Sequence, residues 1–312
     1  MASRGCRLSK PKKQKKHIRK RDVSSLDVSE EWEKVGSLKN IWVYPIKSCA
    51  GVPVPEAFIE KHGARVGECR DRSLVIIDEN KEMVTGRKYN STVLLKTEYD
   101  SSNNSLTLTF PHLQPIKIYL NLIEVEGTLV ESKIWDDLVV GFDCGDEAAN
   151  WLSLALGCQC RLLYHGSSAL SRRSTEKCIE KFPLFNTDDN ALYADLSSVM
   201  LMNEESISDL NSRSNKNHFP QNFRPNFLVS GPKAFDEDDW VYLKIGECIF
   251  RNVSFTTIDY RTGKRDKNYE PLKTLRKYRC TDSESAPLFG INLSVDRVGK
   301  VKAGDDVYVL RT

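Results

Sequence analysis

Ile41-Trp42-Val43-Tyr44-Pro45-Ile46-Lys47-Ser48-Cys49, with Gly51-Val52 close behind, sets four β-branched or aromatic residues ahead of a proline. A run of this kind without polar alternation reads as a strand buried on both faces, and Pro45, which has no N–H to donate, ends or edges it. Lys47-Ser48 then falls at the strand exit, where backbone N–H groups are free. A cation and a hydroxyl there suit an anion such as phosphate. A solvated lysine in a turn is the ordinary alternative, and on these residues alone it is favoured.

Outward from this strand, the chain reads as many short strands with few helices. Leu74–Ile77, a polar Asp78-Glu79-Asn80-Lys81 and Met83-Val84-Thr85 form a hairpin pattern. Leu106, Leu108 and Phe110 alternate with Thr107 and Thr109, and Ile116, Ile118 and Leu120 repeat the period of two. The spacing of Ala148, Trp151, Leu152, Ala155 and Leu156 predicts a helix from Asp146 to Leu156 that stops at Gly157. A strand at Arg161–Tyr164 follows, and Arg172–Thr187 reads as a loop. Further strands are expected at Val199–Met202, Phe227–Val229, Trp240–Ile249, Val253–Ile258 and Val307–Leu310. Asn203 is placed to cap a short helix, and Pro271 to open one carrying Leu272, Leu275 and Tyr278. This order argues for a β-rich α+β protein built around barrels.

The 312 residues carry a formal net charge of +3, and that average conceals a split. Residues 1–21 hold ten Lys/Arg and no acid, leaving 36 basic against 43 acidic residues in the remainder. A basic arm of this composition is expected to be disordered, with order beginning near Trp32–Val35. It has no Phe, Tyr or Trp for base stacking. No apolar run approaches the ~18 residues of a membrane helix. Nine scattered cysteines do not form a secreted disulfide framework, and HExxH, CxxC, GxGxxG and GxxxxGK[ST] are all absent.

Three further segments could carry chemistry. Strand alternation would put Arg70 and Arg72 on one face and Asp71 on the other, either as a phosphate clamp or as a surface ladder. Arg224-Pro225-Asn226 sets a forked cation and an amide beside a buried strand, which suits a polar heterocycle or phosphate, or simply makes a turn. Thr256-Thr257-Ile258-Asp259 with Arg261-Thr262-Gly263 reads as a turn. Cys158-Gln159-Cys160 offers two thiols but lacks the further ligands of a structural metal site.

Taken in order, Ile41–Cys49, Arg70-Asp71-Arg72, Met83-Val84-Thr85-Gly86-Arg87, Tyr193-Ala194-Asp195-Leu196-Ser197, Phe223-Arg224-Pro225-Asn226, Glu270-Pro271-Leu272, Pro287-Leu288-Phe289-Gly290 and Gly304-Asp305-Asp306-Val307 resemble the MOSC family. Within that family the likeness is nearest to proteins of the amidoxime-reducing type, over residues 35–311. The resemblance implies a basic tail over 1–35, an N-terminal MOSC β-barrel domain over 36–165 and a MOSC domain over 166–312. It implies molybdenum cofactor (Mo-molybdopterin) held by Lys47, Ser48 and Arg72 from the first domain and by Asp195, Ser197, Arg224 and Asn226 from the second. Reduction of N-hydroxylated compounds such as amidoximes and hydroxylamines would follow, with electrons from NADH through cytochrome b5 reductase and cytochrome b5. Related enzymes sit at the mitochondrial outer membrane by an apolar N-terminal anchor. None is visible in this Lys-rich tail, so cytosolic or nuclear placement is an alternative, and any nucleic-acid contact is confined to the tail.

The resemblance departs at the metal. The family supplies a thiolate from a Ser-Arg-Cys segment just before Thr-Thr-x-Asp, whereas here Cys248-Ile249-Phe250-Arg251-Asn252-Val253-Ser254-Phe255 runs straight into Thr256. The stretch is about six residues shorter than the family pattern, as judged by motif spacing. Neither Cys248 nor Cys280 inherits the ligand role, so the metal ligand and catalytic residues are unassigned. Impaired catalysis, a non-catalytic cofactor carrier and a partner in cofactor sulfuration are the resulting alternatives. A sulfurase's pyridoxal-phosphate domain has no room in this chain.

Overall fold

The computed structural model describes residues 31–166, 173, 174, 176, 179–257, 270–280 and 286–311. The basic tail and the Ile258–Gly263 turn lie outside the described residues. The first half contributes β1 (Glu33–Val43), β2 (Val52–Val54), β3 (Glu56–Glu60), β4 (Gly63–Val66), β5 (Cys69–Arg70), β6 (Leu74–Asp78), β7 (Lys96–Asp100), β8 (Ser105–Thr109), β9 (Ile116–Tyr119), α1 (Leu120–Glu126), β10 (Leu129–Ile134), β11 (Asp137–Asp143), α2 (Asp146–Leu156) and β12 (Cys160–Tyr164). The second contributes β13 (Arg173–Ser174), β14 (Asn190–Ala191), β15 (Val199–Asn203), α3 (Glu204–Arg213), β16 (Phe227–Ser230), β17 (Trp240–Ile245), β18 (Cys248–Thr257), α4 (Leu272–Leu275), β19 (Leu288–Arg297), β20 (Gly299–Lys302) and β21 (Asp306–Arg311). The β-rich α+β architecture expected from the sequence is the one observed.

The largest sheet runs β16-β15-β19-β18-β17-β21-β1 and closes when β1 pairs back onto β16, giving a seven-stranded barrel with β2 attached to β1. The residues of β1 explain its place. Leu38, Ile41 and Val43 point into the barrel with Phe227, Trp240, Phe250 and Val309. Trp42 and Tyr44 point the other way, against Phe223, Leu228 and Phe289 and the apolar sides of α3 and α4. Both faces are buried, as the unbroken apolar run requires.

The first half has its own core. β10-β11-β12-β6 form one sheet and β7-β8-β9 another. Leu74 and Ile76 of β6 pack with β8, β9 and α2, while Val75 and Ile77 face Ile134, Val139, Leu163 and Tyr193. Each fully buried aliphatic side chain of this kind stabilises the fold by roughly 1.5–3 kcal/mol. Helix α2 matches its predicted span. Gly157 ends it in the left-handed region at φ +71°, its N–H donating to the Ser153 carbonyl at 2.9 Å. A fourth sheet, β20-β3-β4-β5, joins the two halves through β3 and β20.

Four local expectations differ from the structure. The run Trp240–Ile249 is two strands, because Gly246 turns the chain at φ +54° where a Cβ would lie 2.6 Å from the Lys300 carbonyl oxygen. Helix α1 grows directly from the end of β9, where alternation predicted only strand. The Pro271 helix is one short turn, with Leu272 and Leu275 buried. Within the expected loop at Arg172–Thr187, Leu184 and Phe185 are buried against Val253.

Candidate functional site

The exit of β1 is stitched to β6. The Lys47 N–H donates to the Leu74 carbonyl at 2.8 Å, and the Leu74 N–H donates to that of Pro45 at 2.9 Å. This buries Lys47, which is only 4% exposed, so the solvated-turn alternative does not hold. Its Nζ lies 2.6 Å from Asp195 Oδ1 on the segment leading into β15. Burial pulls the Lys47 pKa down to about 8 against the pull of Asp195, and Arg173 and Arg224 lower it further. Desolvation works to raise the Asp195 carboxyl, but Lys47 and Arg224 prevail and hold it well below the usual carboxylate range. The Asp195 side chain is 56% exposed, so the pair sits at a mouth.

A second set of residues lies beneath. Asp71 Oδ1 accepts from the Tyr44 N–H at 2.7 Å and from Asn226 Nδ2 at 3.0 Å, and its Oδ2 accepts from Arg72 Nη1. Arg72 also donates to Asn226 Oδ1 at 3.0 Å and to the Arg224 carbonyl at 3.1 Å, with its guanidinium 4.5 Å from the Tyr44 ring centroid. Asn226 is fully buried. Its Nδ2 donates to Asp71 and to the Trp42 carbonyl at 3.1 Å, and its Oδ1 accepts from Arg72 and from the Met200 N–H at 3.1 Å. Those bonds use both donors and both acceptors of the amide. Asn226 therefore fixes Asp71 and Arg72 in place.

The expected alternation of Arg70 and Arg72 fails for a backbone reason. Arg72 adopts φ +48°, which takes it out of strand geometry and turns it toward Asp71. Arg70 instead donates to Glu60 Oε2 at 3.1 Å. Asp71 is buried, which removes the surface ladder as well. Ser48 at φ +71° and Arg224 at φ +53° are also left-handed. Such positions cost non-glycine residues about 1–3 kcal/mol each and persist where neighbours over-determine them, as the Arg72 N–H to Tyr44 carbonyl bond does here.

The Ser48 hydroxyl has no hydrogen bond among the described residues. Ser197 Oγ donates to the Val199 carbonyl at 3.1 Å and lies 3.3 Å from Asn292 Oδ1, whose amide donates to Ser254 Oγ at 3.1 Å. Lys47, Arg72 and Arg224 lie close enough to Asp195 to act on its charge, Arg173 pairs with Asp137, and Arg87 stands against the Trp135 ring. Asp71 and Arg87 lie within the quoted motifs Arg70-Asp71-Arg72 and Met83–Arg87 without being assigned to the site from sequence, and Arg173 and Trp135 carry no local signature. Arg173 donates to Asp137 Oδ2 at 2.9 Å and to the Ala194 carbonyl, and Trp135 Nε1–H donates to Asp195 Oδ1 at 2.9 Å.

That donor set suits an anion. Lys47, Arg72 and Arg224 gather around one exposed carboxylate, and among the described residues the Ser48 hydroxyl beside Lys47 has no hydrogen bond. Among the described residues no cluster of three or more His, Cys, Asp or Glu side chains occurs, so a metal held by protein side chains alone finds no site in them. Cys49 and Cys248 are both fully buried, each in a hydrophobic core, and burial pushes both thiols up to about 12.

Comparison with known proteins adds an independent line. Residues 35–159 match the MOSC N-terminal beta barrel domain, and residues 188–308 match the MOSC domain. Mitochondrial amidoxime reducing component 2 of Bos taurus is 37% identical over 288 residues, spanning 88% of this chain and 84% of that protein. The Homo sapiens component 2 is 35% identical with the same coverage. Homo sapiens mitochondrial amidoxime-reducing component 1 is 34% identical over 296 residues, spanning 89% of this chain and 84% of the relative.

Proposed function

The chain belongs to the MOSC family that includes the mitochondrial amidoxime reducing components, and from that premise we propose that its cleft binds molybdenum cofactor and serves the reduction of N-hydroxylated compounds. The observation that carries this reading is the convergence of Lys47, Arg72 and Arg224 on the half-exposed Asp195 carboxylate, with Ser48 next to Lys47 in the chain. A pterin phosphate needs such partners. Lys47, Ser48, Arg72 and Arg224 would hold the anionic portion, Asp195 and Ser197 would flank the ring system, and Asn226 would keep Arg72 and Asp71 aimed. The two domains would divide near residue 165, with the site residues drawn from both.

The overall chemistry breaks one N–O bond, consumes two electrons and two protons, and releases water with the amidine or amine. The cofactor, when bound, supplies the two-electron step. The chain's own groups manage charge and protons. Lys47 Nζ, its pKa pulled down to about 8 by burial, holds a proton at neutral pH, and the ionised Asp195 carboxylate orients that proton beside the half-exposed face of the site. Electrons would arrive from NADH through cytochrome b5 reductase and cytochrome b5, and the likeness to proteins named mitochondrial supports a mitochondrial location. No helix among the described residues is long and apolar enough to cross a membrane.

A second reading, a cofactor carrier without turnover, is favoured by one observation. Strand β18 runs from Cys248 into Thr257, and its single thiol, Cys248, points into the barrel core. Elemental molybdenum and pterin fluorescence on the purified chain, together with NADH-driven benzamidoxime reduction in the presence of cytochrome b5 and its reductase, separate the two. Metal with turnover supports the reductase, and metal without turnover the carrier. A chain with neither metal nor pterin refutes both.

A further inference from the structure

The turn between β10 and β11 has only two residues, Trp135 and Asp136, because Ile134 pairs with Asp137. Trp135 occupies φ +54°, a region that favours glycine or asparagine and is an outlier for a bulky side chain. Two links tie this tip to the Asp195 segment. Trp135 Nε1–H donates to Asp195 Oδ1, the same oxygen that Lys47 Nζ approaches, and Arg173 bridges Asp137 to the Ala194 carbonyl. Arg87 places its guanidinium 5.3 Å from the Trp135 ring centroid. The preceding residue, Gly86, lies with its Cβ position 4.0 Å from the Ser48 carbonyl oxygen. Trp135 nonetheless remains 43% exposed.

A strained backbone, an indole N–H committed to a site carboxylate and a large uncovered ring surface occur together at the cleft mouth. Strain of this kind is retained where it holds a side chain in a useful place. An indole offers a flat, sequence-independent stacking face. The Arg87 cation against it disfavours a cationic guest and leaves a neutral arene as the partner of matching charge.

We propose that Trp135, backed by Arg87, is a stacking platform for a neutral, flat aromatic group of the substrate, and so a specificity-determining residue that selects aryl over alkyl N-hydroxylated compounds. The identity of the substrate class rests on the reading of the cleft given above; the platform itself rests on the Trp135 geometry.

Calorimetric binding of benzamidoxime and acetamidoxime to the full chain tests this without turnover. The wild type is expected to bind benzamidoxime about tenfold more tightly, a difference of about 1.4 kcal/mol. W135L should erase that preference by weakening benzamidoxime far more than acetamidoxime, and W135F, which keeps a ring but loses the indole N–H, should retain most of it. Equal weakening of both ligands by W135L would show that Trp135 only holds Asp195, and overturns the proposal. Absence of any aryl preference in the wild type also overturns it. An aryl preference that depends on Trp135 in a chain without reductase activity would sink the proposed function and keep the platform. Turnover of both compounds with equal KM would do the reverse.

Discussion

Replacing Asn226 by leucine should cost more stability than any ordinary substitution of its size, and the structure says how much. Leucine keeps the branched outline of the side chain but strands the Trp42 carbonyl and the Met200 N–H, two buried backbone groups that Asn226 satisfies at 3.1 Å each. Each unsatisfied buried group costs about 1–3 kcal/mol. Asp71 keeps the Tyr44 N–H and Arg72, and Arg72 keeps Asp71, so their losses are smaller. The sum is about 2–6 kcal/mol, or a fall of about 1–3 M in urea midpoint for a slope of about 2–3 kcal/mol/M. Asn226→Asp adds a sign. Its carboxylate would face Asp71 Oδ1, now 3.0 Å from the amide nitrogen, and like charge raises the folded-state pKa of the new group. A group so raised contributes stability at low pH that is lost as pH rises through the folded value. The N226D deficit should therefore shrink on acidification from about pH 7.5 to 5. Urea titrations at both pH values measure it. A deficit under about 1 kcal/mol for N226L, or a pH-independent one for N226D, refutes the account of Asn226 as the hub of the site.

Inorganic pyrophosphate, a probe for the cationic mouth, should bind more weakly as pH climbs through about 8, where Lys47 discharges, and K47M should remove that step from a calorimetric pH series. Glu237, fully buried with Asn203 and Ser206 as donors, is pushed by desolvation to about 7. Its raised pKa means stability present at low pH and lost as pH rises from about 4.5 past 7. This is about 3 kcal/mol at 1.36 per unit, and E237Q should flatten that slope in thermal melts. Arg251, buried between Asp189 and Asp296 at 3.1 and 2.8 Å, also donates to the Leu184 carbonyl. R251M removes the cation that these two carboxylates share, for a loss of about 3–5 kcal/mol. Limited proteolysis should then find new cleavage around residues 184–189.

What the sequence disclosed and what it hid follow from the range of each interaction. Helix α2 and the Asn203 cap, whose side chain accepts from the Glu205 N–H at 3.1 Å, are local patterns and were legible. So was β1, whose apolar run has one explanation. The break at Gly246 was lost because apolar residues continue on both sides of a tight turn, and α1 because Leu120 completes the alternation of β9 before the helix begins. In the site, residue identities pointed to Lys47, Arg72 and Arg224, but the φ reversals at 48, 72 and 224 that aim them cannot be read from strand alternation. The Asp71–Asn226 bond joins residues 155 apart, and no local window contains both.

Strand β1 has a consequence for how the molecule comes into being on the ribosome. Glu33 pairs with Val309 and Ser37 with Asp306, so the first stave of the barrel waits for the last one. Closing so long a loop brings its entropy cost before its contacts, which makes barrel closure a late event during synthesis. Lys47 and Ser48 leave that same stave, and within it the Trp42 N–H donates to the Asn226 backbone carbonyl. The cleft is therefore assembled by the act of closure, and a nascent chain truncated before residue 306 would carry every named site residue without having a site.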